Sequence, residues 1–266
     1  MFGRVQRFRP DLSRLQRAYA AILGNLSPSA EVFRVQLDHC LDRLTGRPAR
    51  LLDAGCGKGT FSFYLSERYP EARILGVDLC PDLHALGSNL QVCEAIRERT
   101  GRANVSFRQL DLRELDAKGE YDLIVSIHVL EHIPDNEQVL ERFVRALRPG
   151  GYLHIQMPSE DHHEDELECG ELAEWAEEEH VGREYSAREL CDLLEKAGLE
   201  TVVCKTDGGW LAKWAWKQGE FRRFRGQKIR LALLWPLLKL LIRIGGRAQD
   251  DGQGNAVVLM RRPEAT

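Results

Sequence analysis

Glycines that directly follow an acidic residue form the first candidate site in this sequence. Asp53 ends a short apolar run, and Gly55, Gly57 and Gly59 follow it at two-residue spacing, before a segment with a helical pattern. Such a strand-to-helix turn brings bare backbone N–H groups close to a ligand at the positive end of a helix dipole. The turn predicts a nucleotide-like cofactor at this edge of a sheet, although glycine-rich turns also occur where nothing binds.

Two further acids end the next two apolar runs. Asp78 comes 25 positions after Asp53, and a carboxylate there can accept both hydroxyls of a ribose. Asp111 can accept from the exocyclic amine of a purine, with Leu79 and Leu112 around the ring. Each acid alone could equally be a helix N-cap or a surface residue. Three acids at successive strand ends favour one adenosine site.

A third candidate group lies in the segment HVLEHIP. His128, Glu131 and His132 stand at i, i+3 and i+4, so a helical turn would put all three on one side. We predict that these residues are catalytic, since imidazole and carboxylate groups can align a nucleophile and accept a proton. They could instead hold the start of a helix beside the cofactor pocket.

The elements that must position these residues alternate along the chain. Strands separated by helices predict βαβ units, hence an α/β fold with a parallel sheet and helices on both faces. The predicted strands are 51–54, 74–77, 105–110, 123–127, 153–157, 201–205 and 256–261. The predicted helices are 29–44, 59–69, 82–99, 135–147 and 186–197, the last with Ser186 and Glu189 as a capping box.

In four motifs the sequence resembles the class I S-adenosylmethionine-dependent methyltransferases, including the small-molecule and ubiquinone-pathway O-methyltransferases. The motifs are LLDAGCGKG (51–59), GVDL (76–79), YDLIVSIHVLEHIP (121–134) and LRPGG (147–151), and the resemblance covers residues 50–204. It implies a Rossmann-like, seven-stranded, mostly parallel sheet with an antiparallel last strand. It also implies Asp53 and Gly55–Gly59 around the methionine moiety, Asp78 on the ribose, and Ser126 and His128 near the transfer site. The cofactor-binding residues expected from both arguments are Asp53, Gly55, Cys56, Gly57, Gly59, Asp78, Leu79, Asp111, Leu112, Ser126 and His128.

Two other chemistries compete for these residues. In a nicotinamide or flavin fingerprint the third glycine comes three positions after the second, whereas Gly59 comes only two positions after Gly57. The segment from His128 to His132 also resembles the Glu-x-x-Glu-His ligand set of metal-dependent catechol and small-RNA methyltransferases, with His180 in a comparable downstream place. The first ligand differs, with histidine for glutamate. A divalent cation therefore stays an alternative that we do not favour, and no metal ligand is assigned.

The flanking segments differ in charge from one another. Residues 1–48 predict N-terminal helices beside the cofactor site, although an Arg-rich start with few acids also suits a transit peptide. Residues 156–185 predict a lid in which eleven Asp and Glu residues come before the first Lys or Arg. Such a run is usually a solvated helix face, and beside an active site it disfavours nucleic acid.

Residues 208–254 interrupt the expected hairpin between the last two strands. They begin with three tryptophans, Trp210, Trp214 and Trp216, and continue with a basic patch with interleaved phenylalanines and an apolar stretch that contains Pro236. The stretch is too short to span a bilayer, which needs about 20 apolar residues. It predicts either a helix lying in a membrane interface or a helical cap on the domain or on a second subunit. The methyltransferase domain is then formed by 49–207 and 255–263.

The composition agrees with a cytoplasmic enzyme. Seven cysteines without a CxxC pair suggest reduced thiols, and a net charge of −4 gives no global argument for nucleic acid. We predict a methyltransferase that acts at an oxygen of a small or lipid-like molecule, with peripheral contact to the inner face of a membrane as an option. The alternatives are a metal-assisted 2′-O-methyltransferase of RNA ends and a non-catalytic S-adenosylmethionine-binding protein. The sequence does not predict the acceptor or the oligomeric state.

Overall fold

The computed structural model describes residues 3–10, 12–25, 27–79, 88–159, 180–207, 210–224, 228–246 and 254–264. The beginning of the predicted helix 82–99 and residues 160–179 of the predicted acidic lid lie outside these ranges. Of the basic and aromatic patch at 221–230, only the Arg230 side chain belongs to the described part.

Seven strands form one sheet in the order β3-β2-β1-β4-β5-β7-β6. Neighbouring strands are parallel except at β7, which runs antiparallel to both β5 and β6, so the predicted topology is confirmed. Both side chains of the pair Leu51 and Leu52 are fully buried, as expected for a sheet covered on both faces. The strands are β1 Arg50–Ala54, β2 Arg73–Asp78, β3 Val105–Gln109, β4 Tyr121–Ile127, β5 Leu147–Pro158, β6 Glu200–Thr206 and β7 Asn255–Arg261.

Helices cover the two faces of this sheet. They are α1 Arg14–Leu23, α2 Pro28–Leu41, α3 Thr60–Arg68, α4 Asn89–Thr100, α5 Asn136–Ala146, α6 Ala187–Lys196, α7 Trp210–Phe224 and α8 Lys228–Gly245. One core contains Leu37 of α2, Phe63 of α3 and Ile96 of α4. The other contains Phe143 of α5 and Leu190 of α6. The apolar faces of these helices thus cover the sheet on both sides.

Serine side chains begin several of these helices. Ser186 accepts from the backbone N–H of Glu189, whose carboxylate accepts from the backbone N–H of Ser186, so the predicted capping box is confirmed. Ser13 and Gln16 form a second box at the start of α1. These local bonds satisfy N–H groups that have no partner inside the helix.

The insertion folds as two helices, α7 and α8, before the last strand. Pro236, which interrupts the apolar stretch, lies inside α8. A proline removes one backbone hydrogen bond from a helix, but packing on both sides of it can hold the helix together. Trp235, Leu238 and Ile242 of α8 are buried in a cluster with Val35 of α2 and Ala215 of α7. None of the described helices combines the length and the apolar character needed to cross a membrane.

Candidate cofactor and acceptor site

The glycine turn between β1 and α3 has the left-handed backbone that its residue types predict. The φ angles are 79° at Gly55, 50° at Gly57 and 73° at Gly59. Glycine adopts this region without the steric penalty that a side chain brings. A Cβ at Gly55 would lie 2.3 Å from the Val129 side chain, whereas a Cβ at Gly57 would have nothing within 4 Å. The turn is therefore packed on one side and open above Gly57.

The backbone N–H groups of this turn are bonded within the protein, whereas the sequence predicted that they would be available to a ligand. Gly55 and Cys56 both donate to the carbonyl oxygen of Val77 at 2.8 Å, and Gly59 donates to that of Cys56 at 2.9 Å. Gly57 donates to Oδ2 of Asp78 at 2.8 Å. The glycine N–H groups are thus used within the protein. The glycines instead supply the left-handed turn and the open space, and the prediction of bare N–H groups is wrong.

Asp53 is buried beneath the turn. Its carboxylate accepts a hydrogen bond from the hydroxyl of Ser62 on α3. Burial raises the pKa of Asp53 to about 6, although the bonds from Ser62 act in the opposite direction. Sequence reasoning missed Ser62, for which the only signal was a hydroxyl between two phenylalanines at the start of an apolar helix face.

The acids predicted for the adenosine lie at adjacent strand ends. Asp78 ends β2, and the side chain of Leu79 is about half exposed beside it. Asp111 caps a short 3₁₀ helix at Leu112–Glu114 and pairs with Arg113 at 2.7 Å, which lowers its pKa. The side chain of Leu112 packs in the core, so any contact with a purine would come from its backbone. The N-cap alternative thus describes Asp111 in this structure.

A histidine–glutamate pair follows β4. His128 has a φ of 53°, and its Nδ1 lies 3.2 Å from Oε1 of Glu131. Nε2 of His128 is buried and has no hydrogen-bond partner among the described residues, and the same holds for Oγ of Ser126 at the end of β4. The ring of Phe33 on α2 stacks on His128 with centroids 4.1 Å apart. This contact, which sequence reasoning did not identify, brings an N-terminal helix over the end of β4.

The backbone around this pair is not the single helical turn that the spacing predicts. A 3₁₀ helix covers Leu130–His132, and His128 precedes it in a left-handed conformation. Glu131 is fully buried. Burial acts to raise the pKa of Glu131, but His128, a backbone N–H and His132 together lower it, so the carboxylate stays charged. The pair therefore combines a buried negative charge with an imidazole at the sheet edge.

A second group, here called the distal cluster, consists of Glu131, His132 and His180. One ligand-type atom of each lies within 4.8 Å of the others. Nδ1 of His180 is 2.7 Å from a carboxylate oxygen of Glu184. The donor types suit a divalent transition metal, and donors around Zn²⁺ lie about 3.4 Å apart when each is about 2.0–2.1 Å from the ion. The three residues therefore keep a divalent cation as an alternative at this site.

Asn136 joins the turn at residues 128–132 to the segment that carries His180. Its Nδ2 donates to the carbonyl oxygens of Leu130 at 2.9 Å and Arg183 at 2.8 Å. Its Oδ1 accepts from the hydroxyl of Tyr185 at 2.9 Å. All three bonds are long-range or close a turn in the core, so Asn136 fixes the position of the turn. Its sequence neighbourhood gave no signal for this role.

Comparison with known proteins identifies the family. The family described as "Methyltransferase domain" matches residues 29–204, about two thirds of the chain. Trans-aconitate 2-methyltransferase of Methylobacterium nodulans is 40% identical over 111 residues, which cover 42% of this chain and 39% of that protein. Malonyl-[acyl-carrier protein] O-methyltransferase of Acetivibrio thermocellus is 30% identical over 146 residues, 54% of this chain and 48% of that protein. The matched region thus spans half or less of the length of these curated relatives.

Solved structures agree on the fold. Phosphoethanolamine N-methyltransferase 2 of Haemonchus contortus, solved with S-adenosyl-L-methionine, superimposes with a TM-score of 0.61 at 20% identity. The superposition covers 97% of this chain and 60% of that one. At this identity the likeness shows the fold alone, whereas the family match rests on the sequence itself. The chain belongs to the methyltransferase domain family.

Proposed function

We propose that this protein transfers a methyl group from S-adenosyl-L-methionine to an oxygen atom of a small or lipid-like molecule. The observation that carries the proposal is the glycine turn, which is open above Gly57 and joined to Asp78 by a hydrogen bond. A side chain at Gly57 would enter the space that a ligand of Asp78 must cross. Membership of the methyltransferase family supports this cofactor rather than a dinucleotide.

The residues that would hold the cofactor come from three strand ends. Asp78 would accept from the ribose hydroxyls, Leu79 would cover the adenine, and Asp111 would lie beside the purine amine. The buried Asp53 would support the turn from below, with Ser62 as its partner. The bound cofactor supplies an activated methyl group on a sulfonium. The protein therefore has to align the acceptor, exclude water and remove a proton where the acceptor carries one.

His128 is the proposed general base on the acceptor side. Glu131 faces Nδ1 and favours a proton there, which leaves Nε2 to accept the proton of an acceptor hydroxyl. Phe33 holds the plane of the imidazole by stacking. His132, exposed beside this pair, would contact the acceptor. A divalent cation is not part of the proposal, because His128 stands where the ligand set of the metal-dependent groups has a glutamate.

The nature of the acceptor decides how much this base contributes. Two relatives are named for trans-aconitate and for a malonyl group, and both compounds carry carboxylates. A carboxylate is already ionised at neutral pH, so it needs no base, whereas a hydroxyl does. We propose a small acceptor with an oxygen nucleophile, and the effect of replacing His128 separates the two classes.

The proposed location is the cytoplasm, with peripheral contact to the inner face of a membrane through residues 208–254. Free thiols at five described cysteines support a reducing compartment: Cys40, Cys56, Cys93, Cys191 and Cys204. An RNA acceptor is not favoured, since the chain is acidic overall.

Labelled S-adenosyl-L-methionine and fractionated cell extract test the proposal. The expected result is label in one small-molecule fraction, identified by mass spectrometry, that is absent with the Gly57→Ala variant. Label that disappears after RNase treatment would instead identify an RNA substrate. A protein that binds the cofactor but labels no fraction would contradict an enzymatic role.

A further inference from the structure

Helix α8 has two faces with opposite surroundings. Trp235, Leu238 and Ile242 are buried against α2 and α7. Glu31 of α2, itself fully buried, accepts from Arg243 of α8 at 3.0 Å. Apolar packing and this ion pair therefore fix the orientation of α8 on the domain. The buried face of α8 is thus explained by its role as a cap on the domain.

The other face is an apolar ridge that the described residues leave uncovered. Leu233 is 77% exposed, Leu237 52%, Leu240 53% and Ile244 57%. Their spacing of four, three and four residues places them along one line of the helix, opposite the buried tryptophan. A contiguous exposed apolar patch on a folded protein usually marks an interaction surface. Burial on the domain cannot account for these four side chains.

The charge of the same segment indicates the partner. Residues 208–254 contain ten Lys and Arg against three Asp and Glu, in a chain whose net charge is −4. Arg230 is exposed in the first turn of α8, three residues before Leu233. An apolar ridge within a basic segment matches the surface of a bilayer whose acyl chains are apolar and whose headgroups are anionic. A second copy of this chain would bring two such basic segments together, which repel each other.

We propose that the ridge Leu233, Leu237, Leu240 and Ile244 binds the surface of an anionic lipid bilayer, with α8 lying in the plane of the interface. This deepens the membrane contact of the proposed function by assigning its surface and its lipid charge. Because α8 packs on α2, and Phe33 of α2 covers His128, docking would place one helix layer between the lipid and the helix that covers the acceptor side of the site. That last step rests on the proposed methyl transfer, whereas the docking itself does not.

Vesicle sedimentation of the full chain tests the docking surface. The probes are vesicles of phosphatidylcholine alone and vesicles with about a third phosphatidylglycerol. The wild type is expected to sediment with the anionic vesicles and much less with the neutral ones, and high salt should weaken binding. The double variant Leu233→Ser/Leu240→Ser should reduce the partition coefficient at least about tenfold. The control is Val202→Ser, which removes an exposed valine on β6.

Circular dichroism and S-adenosylhomocysteine binding show whether each variant keeps its fold and its cofactor site. Both should be unchanged in the double variant, since the ridge is exposed and contacts no cofactor residue. Wild-type protein that stays in the supernatant with anionic vesicles overturns the proposal, and so does a double variant that sediments like wild type. Light scattering could instead show a wild-type dimer that becomes a monomer in the double variant. That result would assign the ridge to a second copy of the chain and would also overturn the proposal.

Discussion

Replacing Gly57 by alanine separates a backbone effect from a ligand effect. The φ angle of Gly57 is 50°, and a Cβ there would touch nothing within 4 Å. Gly101, at the end of α4, has a φ of 63° and equally open surroundings. Alanine in the left-handed region costs about 1–2 kcal/mol, so both variants should lose that much stability. At about 2–4 °C per kcal/mol, the melting temperature should fall by about 2–8 °C in both.

Only the Gly57 variant should lose the cofactor. Its new methyl group would occupy the open space beside Asp78, while the hydrogen bond from the residue 57 N–H to Asp78 can persist. Isothermal titration with S-adenosylhomocysteine should show at least about tenfold weaker binding, equivalent to about 1.4 kcal/mol, in Gly57→Ala and wild-type affinity in Gly101→Ala. Equal affinities in the two alanine variants would refute a cofactor site in the open space above Gly57.

Four further outcomes follow from the site. Asp53 titrates near 6 in the folded protein and near 3.8 as a free side chain, so the native state binds the extra proton and the free energy of unfolding should fall as the pH rises from about 4 to about 6. Asp53→Asn should flatten this dependence in urea unfolding and weaken S-adenosylhomocysteine binding; an unchanged slope would contradict it. His128→Gln should lower kcat about 10²–10⁴-fold for a hydroxyl acceptor at constant cofactor affinity, with His39→Gln as control, and an equal effect of both would remove the base from the proposal. EDTA should leave activity unchanged, whereas loss in EDTA with recovery on adding Mn²⁺ would show that the distal cluster binds a metal. Asn136→Ala should cost about 1–3 kcal/mol of stability in thermal unfolding, because its buried partners lose their bonds, and a neutral effect would show that the turn is held by other contacts.

Strand positions could be predicted from local patterns, and the sheet type and cofactor class from motifs that resemble a known family. Buried strands such as β1 appear as short apolar runs, and the acids at their ends share one sheet edge by topology alone. The capping box at Ser186 is likewise local, because donor and acceptor are three residues apart. Patterns of this kind do not depend on contacts with distant parts of the chain, so they can be recognised from the sequence.

The unpredicted features depend on contacts between distant segments. Phe33 meets His128 across nearly a hundred residues, and Asn136 meets Arg183 across 47. Backbone N–H groups of the glycine turn donate to Val77 and Asp78 on the neighbouring strand β2. The glycine pattern alone could not indicate these hydrogen bonds.

A crystal structure of the protein with S-adenosylhomocysteine tests the central claim most directly. The account predicts both ribose hydroxyls on the carboxylate of Asp78 and the amino-acid part of the ligand in the open space above Gly57. A ligand bound elsewhere, or one whose ribose does not contact Asp78, would contradict it.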